Sequence, residues 1–197
     1  MSGDARRFLT QFLAAPRSVG ALLPSSPALA RAMLAPIPTD QSVTIVEFGP
    51  GTGPFTGEIA RKISASSKYI GIELNPEFHR LLTARFPTFD FAQGSVADLR
   101  AIMATRGVTQ IDAIVCGLPW ASLPVALQSS VFDAIGDLLA PDGAFMTFAY
   151  VQGLALPGAR ALRVSLRARF ANVTSSPIVW RNLPPALVYY CRGLRAA

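Results

Sequence analysis

Cysteine and histidine are scarce in this 197-residue chain: Cys116, Cys191 and His79 are all it has. Two cysteines cannot build a disulfide scaffold. A single histidine with no cysteine or histidine companion at ligand spacing gives no metal site. Cys116 falls in an apolar stretch that reads as a buried strand, and His79 on a helix, where a surface position is expected. Charge is sparse too, at 15% of residues. No apolar run reaches the roughly 18–20 residues that cross a bilayer. Arg6 and Arg7 stand near the N-terminus without the uninterrupted apolar core and cleavage site of a secretory signal. A cytoplasmic setting is expected. Acidic residues are missing from one whole region: residues 151–197 hold Arg160, Arg163, Arg167, Arg169, Arg181, Arg192 and Arg195, and no Asp or Glu. Within a net charge of +6, that asymmetry suits a nucleic acid or an acidic membrane surface, unless it is only a solvated face.

Apolar residues make up 51% of the chain, enough for one sizeable core. Residues 4–15 read as a short amphipathic helix, with Phe8, Leu9, Phe12 and Leu13 on one side and Arg6, Arg7 and Gln11 around the rest. Pro16 stops it, and Ser25 or Ser26 can cap a second helix running to about Leu34. Beyond Pro38, strands are expected at 43–48, 68–73, 88–92, 111–116 and 143–150, alternating with helices at 54–64, 77–86, 97–104 and 124–139. A fifth crossover helix over 157–169 and two closing strands, near 171–180 and 186–192, complete the pattern. This alternation predicts an α/β chain: a Rossmann-like, seven-stranded, mostly parallel sheet with flanking helices and an N-terminal helical extension. The division expected is a lid or membrane-contact segment over 1–40 and a catalytic domain over 41–197.

The first strand ends in Val46-Glu47-Phe48-Gly49-Pro50-Gly51-Thr52-Gly53, and the second ends in Gly71-Ile72-Glu73-Leu74. Glycines serve where backbone must approach a ligand or take φ > 0, and an acid closing the next strand can accept both hydroxyls of a ribose. A dinucleotide loop spaces its glycines G-x-G-x-x-G; here the third glycine comes too early. Glu47 would repel a pyrophosphate but suits a cationic amino acid. The loop resembles motif I of the class I S-adenosylmethionine (SAM) methyltransferases, with Gly49, Gly51 and Gly53 at the cofactor, Glu47 near its amino group and Glu73 as the ribose acid. That resemblance implies SAM as cofactor and no metal. Leu74 would pack on the adenine, and Ser95 with the backbone of Val96 would hold its edge, while Asp98 reads as a helix cap.

Cys116-Gly117-Leu118-Pro119-Trp120 follows the fourth strand. It resembles the Asn-Leu-Pro-Tyr or Asp-Pro-Pro-Tyr motif of adenine amino-methyltransferases, except that Gly117 replaces the side-chain acceptor. Backbone carbonyls and Trp120 are then left to orient the nucleophile. Trp120 reads either as a cation-holding face for an ammonium or as a core residue. Tyr150, ending the fifth strand, reads either as an orienter of the acceptor amine or as core.

Residues 8–34, the Gly-Leu-Pro after the fourth strand and the closing Arg181-Asn182-Leu183-Pro184-Pro185-Ala186 are similar to bacterial phospholipid N-methyltransferases, over nearly the whole chain. The resemblance implies methyl transfer from SAM to the amine of phosphatidylethanolamine or its partly methylated forms. It also implies a first helix lying on anionic membranes, and so a peripheral membrane location. Arg181 could then meet a lipid phosphate bidentately. An rRNA adenine methyltransferase is a rival, disfavoured by Gly117 and by the lack of an RNA-binding domain after residue 192, so no stable nucleic-acid partner is expected. A soluble small-molecule methyltransferase with an N-terminal lid, and a SAM-binding protein without catalysis, are further readings.

Overall fold

A computed structural model describes residues 24–38, 40–118, 120 and 125–195. The helix expected over 4–15 lies outside them. The strands are β1 (Thr44–Phe48), β2 (Lys68–Glu73), β3 (Asp90–Gln93), β4 (Ile111–Cys116), β5 (Leu139–Tyr150), β6 (Phe170–Ser175) and β7 (Ala186–Leu194). They form one sheet in the order β3-β2-β1-β4-β5-β7-β6. β1 to β5 pair in parallel, and β7 alone is reversed, between β5 and β6. This is the Rossmann-like sheet expected from the alternation.

Helices cover both faces. On one side lie α1 (Pro27–Met33), α2 (Pro54–Lys62) and α3 (Pro76–Arg85), with Leu29, Met33, Ile59 and Leu82 buried against Ile45, Val115 and Val188. On the other lie α4 (Leu99–Ala104), α5 (Val125–Leu138) and α6 (Pro157–Arg169), with Leu99, Phe132, Ile135, Leu162 and Leu166 buried against Val46, Ile114 and Phe145. The central strands are therefore apolar on both faces, as a doubly covered parallel sheet requires.

Two elements differ from the sequence reading. Pro141-Asp142-Gly143 does not open β5 but sits inside it. Leu139 already pairs with Ile111, and the register then shifts so that Ala144 pairs with Ala113. The proline and its neighbours bulge out of the ladder, where a missing N–H costs least. The closing strand expected near 171–180 stops at Ser175. Pro177 cannot donate to the ladder, and only a single bridge, Val179 to Ala186, resumes it.

From Pro27 onward the expected extension belongs to the core of the sheet. Ser26 caps α1 through Leu29 N at 3.2 Å. Tyr190 donates its hydroxyl hydrogen to the Ala32 carbonyl at 2.8 Å. Buried Asn182 joins the start of α1 to the β6–β7 loop, accepting from Ser26 N at 2.8 Å and donating to the Pro184 carbonyl at 2.7 Å. Replacing Asn182 by Ala strands both partners in a largely dry position. Equilibrium urea unfolding should show a loss of about 1–3 kcal/mol; an unchanged midpoint would remove this clamp from the account.

Candidate active site

The strand order reverses between β1 and β4, and ligands of open α/β sheets bind in the crevice at the carboxyl ends of the strands there. The backbone knits four of these ends together. Gly49 N donates to the Ile72 carbonyl at 3.0 Å, Gly94 N to the Glu73 carbonyl at 3.0 Å, and Gly117 N to the Phe48 carbonyl at 2.9 Å. A Cβ on Gly117 would lie 2.9 Å from the Gly49 carbonyl oxygen, and one on Gly49 would run into Leu118. Glycine at 117 is thus a packing requirement: the loop after β4 touches the loop after β1 backbone to backbone. The absence of an amide side chain there has a steric cause.

Gly49, Gly51 and Gly53 all take positive φ, at 65°, 59° and 83°. A Cβ at Gly51 would meet nothing, so the loop turns an open face outward at that residue. Glu73 holds the loop in shape. Its Oε2 accepts from Gly51 N at 2.9 Å and its Oε1 from Asn75 N at 2.8 Å. Each carboxylate oxygen has a second lone pair, so the pair can still accept two ribose hydroxyls. Arg85, which the sequence reading passed over, steadies the loop from α3 through the Thr52 carbonyl at 3.2 Å.

Glu47 is fully buried. Its Oε2 accepts from the Tyr69 hydroxyl at 2.7 Å and from Thr56 Oγ1 at 2.9 Å, while Oε1 has no partner among the described residues. Burial pushes its carboxyl up to about 7, against the two hydrogen bonds that pull it down. Tyr69 and Thr56 were missed in the sequence, although a signal was present. Tyr69, Gly71 and Glu73 share one face of β2 by the period of two, and Gly71 is the register partner of Glu47. A Cβ on Gly71 would lie 2.8 Å from the Tyr69 oxygen, so this glycine clears the path by which Tyr69 reaches Glu47.

A positive amino acid group fits this arrangement: an orphaned carboxylate oxygen beneath a glycine loop that turns an open backbone outward, and a second acid on the next strand. The other sequence-derived residues divide. Leu74 is half-buried against the core, Val96 is buried, and Ser95 Oγ accepts from Ala97 N at 3.2 Å, capping a short 3-10 turn. Ser95 thus supplies the capping bond expected of Asp98, which occupies the N-cap position of α4 without a side-chain capping bond. Tyr150 is half-buried beside Phe148, at 5.4 Å between ring centroids, and its hydroxyl has no hydrogen-bond partner among the described residues. Arg181 is exposed in the β6–β7 loop. His79 is not free at the surface: its Nε2 lies 3.1 Å from the Phe91 carbonyl oxygen.

Trp120 requires a correction. It is 1% exposed and packs edge-to-face with Phe132 and Phe145, at 4.8 and 5.6 Å between centroids. Two phenylalanines claim the ring that would have held a cation, so the core reading stands.

A nucleotide-type glycine loop, two acids at neighbouring strand ends and a seven-stranded sheet with one reversed strand define a class I SAM-dependent methyltransferase. A methyltransferase domain family matches residues 45–143. The ornithine lipid N-methyltransferase of Singulisphaera acidiphila is 37% identical over 191 residues, covering 95% of each chain. Among solved structures, a TehB-like SAM-dependent methyltransferase from Corynebacterium glutamicum aligns with a TM-score of 0.60 at 16% identity, over 96% of this chain and 98% of its own. An O-methyltransferase from Bacillus cereus, in complex with SAH, aligns at 0.63 and 11%, over 98% and 92%. These two establish the fold. The chain belongs to the SAM-dependent methyltransferase family, and SAM is its cofactor.

Two predictions follow from the acids. Glu73→Ala removes a largely buried charged acceptor worth about 1.5–3 kcal/mol; calorimetry should show SAM bound roughly ten- to hundredfold more weakly, and unchanged affinity in a folded variant would refute the assignment. For Glu47, the folded value of about 7 lies above the ordinary 4.5. The folded state therefore holds a proton that the unfolded chain releases. Its contribution to stability is complete below about pH 4.5 and is lost as pH rises through about 7, on the order of 3 kcal/mol in all. Urea titrations from pH 5 to 8 should show that decline in the SAM-free protein and a flatter profile in Glu47→Gln; parallel profiles would exclude Glu47 as the cause.

Proposed function

We propose that this enzyme methylates the primary or partly methylated amine of a two-chain lipid at a membrane surface, with phosphatidylethanolamine as the acceptor class. The whole-length likeness to a lipid N-methyltransferase carries the reading. The general methyltransferase match ends at residue 143, whereas the likeness to the Singulisphaera enzyme covers 95% of the chain. It therefore includes segments beyond the cofactor half, where Tyr150 or Arg181 lies. That relative acts on ornithine lipid by name, and the shared feature of the two acceptors is an amine carried on a lipid.

SAM supplies an activated methyl group on a sulfonium. The protein's task is to hold a neutral amine in line with it, and alignment is the main source of rate for such a displacement. Tyr150 stands at the carboxyl end of β5, in the same row of strand ends as the glycine loop. Burial raises its pKa, so it stays protonated at neutral pH. It serves to orient the amine through its hydroxyl, and the amine proton leaves to water. Gly117 contributes by letting the two loops close. Exposed Arg181 meets the anionic part of the lipid head group, a role for which its planar fork suits it.

The same steric constraint disfavours the adenine-methylating alternative. Any side chain at 117 would press on the Gly49 carbonyl, so the acceptor that grips an adenine amine has no room in this loop pair. Among the described residues no helix is long and apolar enough to cross a membrane, which is compatible with attachment from one side. Labelled SAM offered with phosphatidylethanolamine, its mono- and dimethyl forms, ornithine lipid, rRNA and small soluble amines should label a lipid amine in mixed micelles and leave rRNA unlabelled. Labelling of rRNA adenine without lipid would reverse the assignment.

A further inference from the structure

We infer that the Trp180–Leu183 loop and Leu156 form an apolar rim that seats the open end of the sheet in the interfacial layer of an anionic bilayer. The inference deepens the lipid-methylating reading and rests on it for its purpose, though its test does not depend on that reading.

Among the described residues, five large apolar side chains are exposed, and three belong to two adjoining loops: Trp180 at 72%, Leu183 at 69% and Leu156 at 61%. The β6–β7 loop and the β5–α6 connection both leave the sheet at its carboxyl end, beside Tyr150, which pairs with Ala186. Val151 N donates to the Pro185 carbonyl at 2.9 Å, tying one connection to the other. The loop is not exposed for want of anchors. Buried Asn182 fixes it to Ser26 and Pro184, and Val179 bridges Ala186. Trp180 and Leu183 are thus held outward on either side of an inward-facing asparagine.

Tryptophan and arginine side by side suit an interface that is apolar on one side and charged on the other. Arg181 follows Trp180 directly on the exposed side of the loop, and no acidic residue occurs anywhere in 151–197 to oppose an anionic surface. Arg160 follows one turn into α6 from Leu156. A soluble partner protein would be expected to present acids to this surface and bury it dry; a bilayer offers phosphates to the arginines and acyl chains to Trp180 and Leu183 at once. The chemistry at the rim therefore points to a lipid surface.

The chain carries its own reporter. Its two tryptophans are Trp120, in the core, and Trp180, on the rim. With vesicles of equimolar phosphatidylcholine and phosphatidylglycerol, the iodide-quenchable emission should shift to the blue and lose its access to iodide. It should instead be quenched by lipids brominated near the carbonyl end of their acyl chains, and Trp180→Phe should abolish the response. Trp180→Ala with Leu183→Ala should weaken vesicle partitioning roughly ten- to hundredfold, with transfer to a short-chain soluble acceptor unchanged. Because Trp180→Phe is a surface change, a folding defect does not cloud the control. An unchanged emission with vesicles, or a Trp180 already shielded from iodide without them, overturns the proposal, the second result meaning that protein covers the rim. Lipid amines methylated in micelles without a Trp180 response would sink the rim alone. A Trp180 response with methyl transfer only to soluble amines would sink the lipid acceptor and leave the rim.

Discussion

Everything in the site depends on two backbone turns lying closer together than side chains allow. The loop after β1 and the loop after β4 meet at Gly49 and Gly117, where a single added carbon would strike a carbonyl or Leu118. That contact lies at the reversal of strand order, where neighbouring connections run to opposite faces of the sheet and a crevice opens. The crossing hydrogen bonds from Gly49, Gly94 and Gly117 keep the strand ends level. With the ends level, Glu73 can reach back to Gly51 and hold the loop open for a ligand. Were Gly49 or Gly117 larger, the cost would fall on the contact between the two loops before it fell on the rest of the core.

The buried carboxylate of Glu47 shows how such a site stores unfavourable chemistry. An acid taken out of water without a cation prefers its proton, and Glu47 has two neutral donors on one oxygen and, among the described residues, none on the other. Tyr69 and Thr56 make burial tolerable but do not neutralise it. A positive charge would complete the compensation, and on the proposed reading the cofactor's amino acid moiety supplies it. Gly71 belongs to the same arrangement, because it clears the path of Tyr69 across β2.

The cofactor half was legible in the sequence because its signals are local. A strand, three glycines at short spacing and an acid at the next strand end specify both the turn and its polarity. The sheet was legible for the same reason, since short, near-continuous apolar runs alternated with helical ones. Trp120 was not: an aromatic residue after a strand can face the crevice or the core, and only the positions of Phe132 and Phe145 decide it. Tyr69 was passed over because its partner, Glu47, is distant in the chain and adjacent only through strand register. Asn182 was read merely as part of a resemblance, yet its two hydrogen bonds reach the start of α1, 156 residues away, and the neighbouring Pro184. The early start of β5 escaped notice because a Pro-Asp-Gly turn and a bulge have the same composition.

The distribution of charge divides the labour of the molecule. The acids that suit a cationic cofactor, Glu47 and Glu73, come early in the chain, while the region after residue 150 carries arginines and no acid. Of the second set, Arg160 and Arg181 lie toward the end of the sheet that carries Glu47 and Glu73, whereas Arg169, bonded to Asp133, and Arg192, opposite Ala144 at the start of β5, lie toward the other. A lipid amine presents the complementary problem: a head group whose anionic part must be held while its amine is released, neutral, toward a cation-binding pocket. Arginine near that pocket lowers the local preference for a protonated amine by charge repulsion while attracting the anionic group beside it. On the proposed reading, Arg181 therefore assists both placement and deprotonation of the acceptor, so its charge is part of the chemistry and not only of docking.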